Sequence, residues 1–384
     1  MQKKVYFQNL DAIRFILALM VFLSHQMDRL FVLSNCKWIF LGRIWNLIAR
    51  GNLRVSMFFI LSGFLITYIL LKEKELTDHI NVKNFYIRRI LRIWPLYFLI
   101  LLISFGIIPV ALHLTEIINT IPVRLPYYIA FLSNFDLLHL DKFHFGPANS
   151  MALYIQFLTW SVSVEEQFYL VWPLLLLLIK PRYYIFIFIF TIIASIAFRL
   201  YYRIDDFILG YHTFSVAVYL AIGGLSAYLI LKYRSFQNLF SLIPPWVSGL
   251  IYISGSVGLL YRLEIMKISP YGMALMPLFY GSFFAFILLD QNFSPQSFLK
   301  LGRFKFLSYW GKYSYGIYLL HPVAMGIVAL CIAHLNIMEA NFFNYLITGL
   351  VTLALTMAMS YVSYEFYEKR FLAMKKKFSV IVRD

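Results

Sequence analysis

Arg14 and His25 stand eleven residues apart in the run "RFILALMVFLSH", whose other residues suit lipid. At about 100° per residue, that separation returns to within roughly 20° of one helix face, about 16 Å along the axis. Asp11, Arg14, Ala18, Phe22 and His25 then share one stripe. Ionisable groups inside a membrane are costly and turn toward the protein interior, so their default reading is functional. An imidazole that titrates near neutrality suits a proton acceptor. The structural alternative has Arg14 snorkelling to the inner face and His25 hydrogen-bonding a neighbouring helix.

Further constellations follow along the chain. "FYIRRILRIWPLY" (85–97) carries Arg88, Arg89 and Arg92 at helical spacing. Guanidinium forks bind phosphate oxygens in pairs, although basic residues with Trp and Tyr at a membrane boundary also serve as ordinary anchors. "TWSVSVEEQFYLVWP" (159–173) carries Glu165 and Glu166. Ser161 lies four residues before Glu165 and Ser163 three before Glu166, so each glutamate can meet a serine on its own helix. Only one of the two neighbouring glutamates readily faces the interior; the alternative is a solvated interfacial pair. Ser62-Gly63 in "NLRVSMFFILSGFLI" reads first as a close helix contact and second as a polar contact with ligand. In "WGKYSYGIYLLHP", Tyr315, Tyr318 and His321 can share a face, and His321 before Pro322 steadies a kink as readily as it does chemistry. Asp136, His139, Asp141 and His144 read as a solvated loop rather than metal ligands, so no metal is expected. No Walker-type or dinucleotide glycine motif is present.

The elements that must position these residues are membrane helices. Of 384 residues, 61% are hydrophobic and 14% charged, against about 45–50% and 25% in soluble chains. Apolar runs predict spans near 10–33, 54–72, 93–113, 162–180, 183–202, 211–231, 246–262, 270–289, 314–335 and 342–363. The expected fold is therefore all-α and integral to the membrane, a bundle of about ten transmembrane helices forming one membrane-embedded domain over 1–384 with no appended soluble domain. The segment 125–138 is short and contains Asn134 and Asp136, so it reads as a re-entrant or interfacial piece, or as an eleventh span.

With ten crossings and both termini cytoplasmic, 22 of the 34 Lys and Arg fall on the inner side, and Arg14 lies within a span. The formal net charge of +16 is thereby explained by topology, and nucleic acid is not expected as a partner; membrane lipids are. The outer loop 30–54 opposes the trend with Lys37, Arg43, Arg50 and Arg54, which are held in the protein or face an anionic partner. The 114–161 segment, with Pro122, Pro126 and Pro147, is long for a structureless loop and reads as functional. Cys36 and Cys331 have no metal-type spacing. The first span lacks a small-residue cleavage site, so Met1 reads as the mature start.

Arg14-x10-His25, "FFILSGFLI", "FYIRRILRIWPLY", "WSVSVEEQFYLVWP" and "YSYGIYLLHP" occur in an order and topology that resembles the acyltransferase-3 membrane proteins, the bacterial O-acyltransferases of surface polysaccharides and related glycans. The resemblance covers about 10–370. It implies an acyl group, usually acetyl, taken from acetyl-CoA or another acyl-CoA on the cytoplasmic side. The acceptor it implies is a hydroxyl of a cell-surface glycan or lipid-linked saccharide, such as lipopolysaccharide or exopolysaccharide. It also implies a bacterial plasma (inner) membrane location. His25 is carried over as catalytic with Arg14 as its partner, Arg88, Arg89 and Arg92 as the CoA-contacting motif, and Glu165 as the motif carboxylate. Glu166, Ser161, Ser62 and Tyr315 are expected around the substrate. A transporter or flippase using the intramembrane Arg, His and Glu as an ion or substrate path is the competing reading. A structural scaffold would explain the spans but not the charges inside them.

Overall fold

A computed structural model describes residues 3–4, 7–34, 53–110, 124–139, 155–335 and 342–382. The α-helices are α1 (Gln8–Ser34), α2 (Leu53–Thr77), α3 (Val82–Leu102), α4 (Leu125–Ile129), α5 (Ser133–Leu138), α6 (Trp160–Leu178), α7 (Tyr184–Tyr201), α8 (Asp206–Tyr211), α9 (Thr213–Lys232), α10 (Arg234–Leu242), α11 (Pro245–Leu260), α12 (Arg262–Ile268), α13 (Gly272–Phe293), α14 (Lys305–Gly311), α15 (Ser314–His334), α16 (Phe342–Val362) and α17 (Lys369–Lys375). Two residues at each end, Lys3–Lys4 (β1) and Ile381–Val382 (β2), pair in parallel. In lipid the backbone has no water to bond, so each apolar run satisfies its own N–H and C=O groups as a helix.

Among the described residues, eight helical segments are long and apolar enough to cross a membrane, and the pair α10–α11, bent by 92°, makes a ninth if it is one span. Helix α1 is not one of these, yet its 27 residues extend about 40 Å by helical rise, the length of a crossing. With it, each of the ten expected spans has a helical counterpart. The third starts earlier than the apolar run suggests, at Val82, where Asn81 Oδ1 caps the helix by accepting from Asn84 N–H at 2.9 Å. The arginines of 88–92 are therefore on the helix, not before it. The 125–138 segment is the two short helices α4 and α5, of five and six residues, and is no eleventh span.

Contacts sort the segments by end. At one end Arg88 bonds Glu73 and the Phe378 carbonyl, each at 2.7 Å. Asn9 Nδ2 donates to the Gln291 carbonyl at 2.6 Å and Asn9 Oδ1 accepts from Gly302 N–H at 2.7 Å. Lys312 lies 3.7 Å from Glu365. At the other end the Arg199 guanidinium donates to the carbonyls of Leu209, Met273 and Ala274, and Asn134 donates to Thr213 Oγ1 and the Tyr211 carbonyl. Segments that an even number of crossings puts on one side thus touch one another, and the β1–β2 pair places the two terminal segments at the same end.

Helices α2 and α9 form the centre, the most buried of the spans. They meet through glycines: a Cβ on Gly63 would lie 2.0 Å from the Leu220 carbonyl oxygen, and one on Gly223 would lie 2.0 Å from that of Ile60. Small residues let two backbones approach without side chains between them. The neighbouring Ser62 and Phe64 are thereby set on opposite flanks of the contact. Gly63→Val is expected to cost about 1–3 kcal/mol by overpacking and to lower the thermal unfolding midpoint in detergent, whereas Gly106→Ala, whose added carbon would meet only a leucine methyl at 3.4 Å, leaves the midpoint unchanged.

Candidate active site

The α1 stripe faces α15. His25 Nδ1 lies 2.9 Å from His321 Nε2, and the two rings lie end to end and nearly coplanar, their centroids 5.2 Å apart at 13°. His321 is fully buried, its Nδ1 lies 3.1 Å from the Ile317 carbonyl, and Phe22 and Tyr318 pack edge-on against it. The His25 ring is accordingly turned onto a neighbouring helix rather than into lipid. Arg54, buried at the start of α2, lies within electrostatic reach of both His25 and the Tyr318 hydroxyl. Tyr318 in turn shares a 2.6 Å hydrogen bond with Ser161 of α6.

The second focus lies on α6. Ser62 Oγ donates to Glu165 Oε1 at 2.7 Å and Tyr169 OH to Glu165 Oε2 at 2.6 Å. Glu166 accepts from Trp94 Nε1 at 3.1 Å, and its other oxygen is buried without a hydrogen-bond partner among the described residues. Successive helical residues point about 100° apart, so Glu165 reaches α2 and Glu166 reaches α3, and both face protein. The expected serine partners are corrected: Ser161 bonds Tyr318 and Ser163 bonds Ser133 at 2.7 Å. Their short side chains meet groups across the interface more readily than carboxylates one turn along the same helix. Tyr315 does not share the Tyr318–His321 face; its hydroxyl donates to the Ile93 carbonyl of α3 at 2.9 Å, two residues before Pro95.

The three arginines part company. Arg88 is fixed by Glu73 and the Phe378 carbonyl. Arg89 sits over the Tyr169 ring at 4.8 Å and the Phe85 ring at 5.6 Å, in the field of Glu165 and Glu166. Arg92 lies in the field of Glu368 and Tyr364. Arg14 pairs with Asp11 at 3.0 Å, one turn along the same helix.

The α4–α5 segment closes the far side of this region. Its Phe131 holds φ at 55°, unusual for a bulky residue, and its ring packs against Trp94, Tyr97 and Phe98. Gln167 donates to the Phe131 carbonyl at 2.8 Å and to Asn134 Oδ1 at 2.9 Å. Asp136 is not a solvated loop residue: it is buried and accepts from Arg124 Nε at 2.6 Å. His139 is exposed, with Nδ1 against the Phe135 carbonyl. Asp141, His144, Pro122, Pro147, Cys36, Lys37, Arg43 and Arg50 lie outside the described residues. Among the described residues no group of three or more His, Cys, Asp or Glu could hold a metal ion.

The acyltransferase-domain family known as acyltransferase 3 matches residues 7–363. The chain belongs to this family. A Staphylococcus aureus (strain COL) protein provisionally named an O-acetyltransferase is 32% identical over 212 residues, which is 52% of this chain and 30% of the relative. The peptidoglycan O-acetyltransferase OatA of Listeria monocytogenes is 27% identical over 336 residues, 83% of this chain and 51% of the relative. The chain therefore spans only about a third to a half of the length of these curated relatives. No solved structure matches it. Membership in this family of membrane O-acyltransferases accords with the resemblance read from the motifs.

Three features of this acyltransferase-3 site carried little weight in the sequence. His321 reads there as a kink residue as much as a reacting one; two histidines buried in separate spans are the signal that they satisfy each other. Tyr169 is four residues after Glu165, a spacing that places it one turn along the same face. Arg54 reads as the end of an outer loop because it stands just before the apolar run, although it lies in the first turn of α2. The Arg88–Glu73 pair has 9% and 2% side-chain exposure, so Glu73→Ala, which strands a buried guanidinium, is expected to lower unfolding stability by about 3–5 kcal/mol. Glu75→Ala, breaking the surface pair with Lys72, is expected to cost less than about 1 kcal/mol; both are read by thermal unfolding in detergent.

Proposed function

We propose that this protein transfers an acyl group, acetyl in the first instance, from acyl-CoA to a hydroxyl of a cell-surface glycan or lipid-linked saccharide, with His25 as the proton acceptor. The observation that carries the reading is the inward-turned His25 of the Arg-x10-His pattern, bonded to His321 with a buried guanidinium, Arg54, within electrostatic reach. A sugar hydroxyl is a poor nucleophile at neutral pH, and attack on a thioester needs a base at the hydroxyl and positive charge near the developing oxyanion. In the proposed step the hydroxyl proton passes to His25 as the oxygen bonds to the thioester carbonyl carbon. The tetrahedral adduct, its oxyanion facing Arg54, then collapses with cleavage of the C–S bond. The proton returns from His25 to the departing thiolate, leaving an acyl ester and CoA thiol.

The remaining roles divide by where each group points. Arg89 and Arg92 are the arginines proposed to meet the CoA phosphates. Arg88, already bonded to Glu73 and the C-terminal segment, is proposed to hold their helix in place. Arg14, held by Asp11, is proposed to orient the donor near the inner end of α1. Glu165, fixed by Ser62 and Tyr169, is proposed to order the acceptor with Glu166; Ser161 and Tyr315 shape that region through Tyr318 and α3. The excess of Lys and Arg on one set of segments supports a plasma-membrane topology with both termini cytoplasmic. The name of the Listeria relative supports a saccharide acceptor, and family membership favours chemistry over the flippase reading.

The test uses the full chain in nanodiscs with radiolabelled acetyl-CoA and a panel of envelope glycans. His25→Ala is expected to lower transfer by about 10²–10⁴-fold, far more than the modest drop in unfolding midpoint from stranding His321 Nε2 explains, and Arg89→Met to raise the KM for acetyl-CoA. Wild-type transfer by the His25→Ala protein would refute the assignment. Mass spectrometry of envelope glycans with and without the protein identifies the acceptor.

A further inference from the structure

The hydrogen bonds around His321 have a direction, and it extends to His25. A carbonyl oxygen only accepts, so His321 Nδ1, 3.1 Å from the Ile317 carbonyl, carries a hydrogen. A neutral imidazole has one N–H, so His321 Nε2 presents a lone pair. His25 Nδ1 lies 2.9 Å from that lone pair and must donate to it. The neutral His25 ring then has its lone pair on Nε2. The opposite arrangement would aim a bare His321 Nδ1 at a carbonyl oxygen or require a cationic His321.

The same stretch of α15 explains why His321 holds this orientation. Pro322 has no N–H to donate to the Tyr318 carbonyl one turn back. The His321 ring bonds the carbonyl of Ile317 and also engages that of Tyr318, the one the proline leaves open, so one ring nitrogen is held by the backbone of its own helix. Phe22 and Tyr318 pack on the ring, and no part of it is exposed. Its remaining nitrogen is directed at His25.

We propose that His321 is a positioning residue for acyl transfer: it fixes His25 as the Nδ1–H tautomer and so makes Nε2 the nitrogen that takes the hydroxyl proton. The functional half of this inference rests on His25 being the base; the tautomer half does not. His321 is not itself placed to meet substrate, because both of its nitrogens are committed, one to α15 backbone and one to His25. His321 and the reactive imidazole are then parts of one device, in which a backbone carbonyl of one helix sets the protonation site of a ring on another.

The test combines histidine ¹⁵N NMR of the full chain in nanodiscs with transfer kinetics, assigning His25 by comparison with His25→Ala. The wild-type protein is expected to show His25 protonated on Nδ1 and bare on Nε2. His321→Phe is expected to give mixed His25 tautomers and to lower kcat by about 100-fold, the scale of a misplaced reacting group, with little change in the KM for acetyl-CoA. His321→Gln, whose amide can accept from His25 and donate to Ile317, is expected to restore the tautomer and bring kcat to within about tenfold of wild type, since orientation is kept. A wild-type His25 protonated on Nε2, or wild-type kcat in His321→Phe, overturns the inference. If His321→Phe fails to fold, the wild-type spectrum and the His321→Gln protein still decide it. Activity retained by His25→Ala overturns the base assignment instead, and the spectra separate the two failures.

Discussion

An imidazole sunk in an apolar bundle has to be satisfied from another helix, and His25 finds its partner in His321 across the α1–α15 interface. That requirement runs through the whole interior. Unpaired polar groups cost several kcal/mol in hydrocarbon, and several buried polar side chains recruit a group from a different element. Ser161 joins α6 to Tyr318 of α15, Ser62 of α2 joins Glu165 of α6, and Trp94 of α3 joins Glu166. The proposed reacting groups thus lie in polar pairs that join α1 to α15, α15 to α6, and α6 to α2 and α3, and the order of the helices is part of their chemistry. Apolar packing holds the bundle together, while these contacts specify which faces meet.

The helical units are legible in the sequence because a membrane span needs only composition and length. The polar pairs are much less so. Periodicity shows which residues share a face of one helix, as with the stripe from Asp11 to His25, but not what lies opposite. Glu165 and Tyr169 are visible as neighbours because they are four apart on α6; the bond from Ser62 joins residues 103 apart in sequence and leaves no local trace. Asp136 reads as a loop carboxylate because its burial depends on α6 and α9, which hold the α4–α5 segment in place. The start of α3 is similarly hidden, because charged residues do not end a helix when one face can reach polar partners.

The arginine cluster shows how tertiary structure resolves a repetitive motif. Three guanidinium groups within five residues read as one cationic surface, yet each is drawn to a different counterpart: Glu73, the Tyr169 ring beside the α6 carboxylates, and the surroundings of Glu368. Mutual repulsion and the distribution of buried carboxylates favour that separation. One motif therefore supplies both a brace for the chain and charge near the α6 carboxylates.

Helix α1 acts as a ruler. Its foot is clamped at Asn9, which donates to Gln291 and accepts from Gly302, and no break interrupts it before His25. The imidazole consequently stands sixteen residues, about 24 Å, above a fixed mark. Adding or removing a single residue in that interval would change its height by 1.5 Å and swing it through about 100°, carrying it off the opposing ring. The spacing between anchor and imidazole is thus a measured length, and the side chains between them are freer to vary than their number.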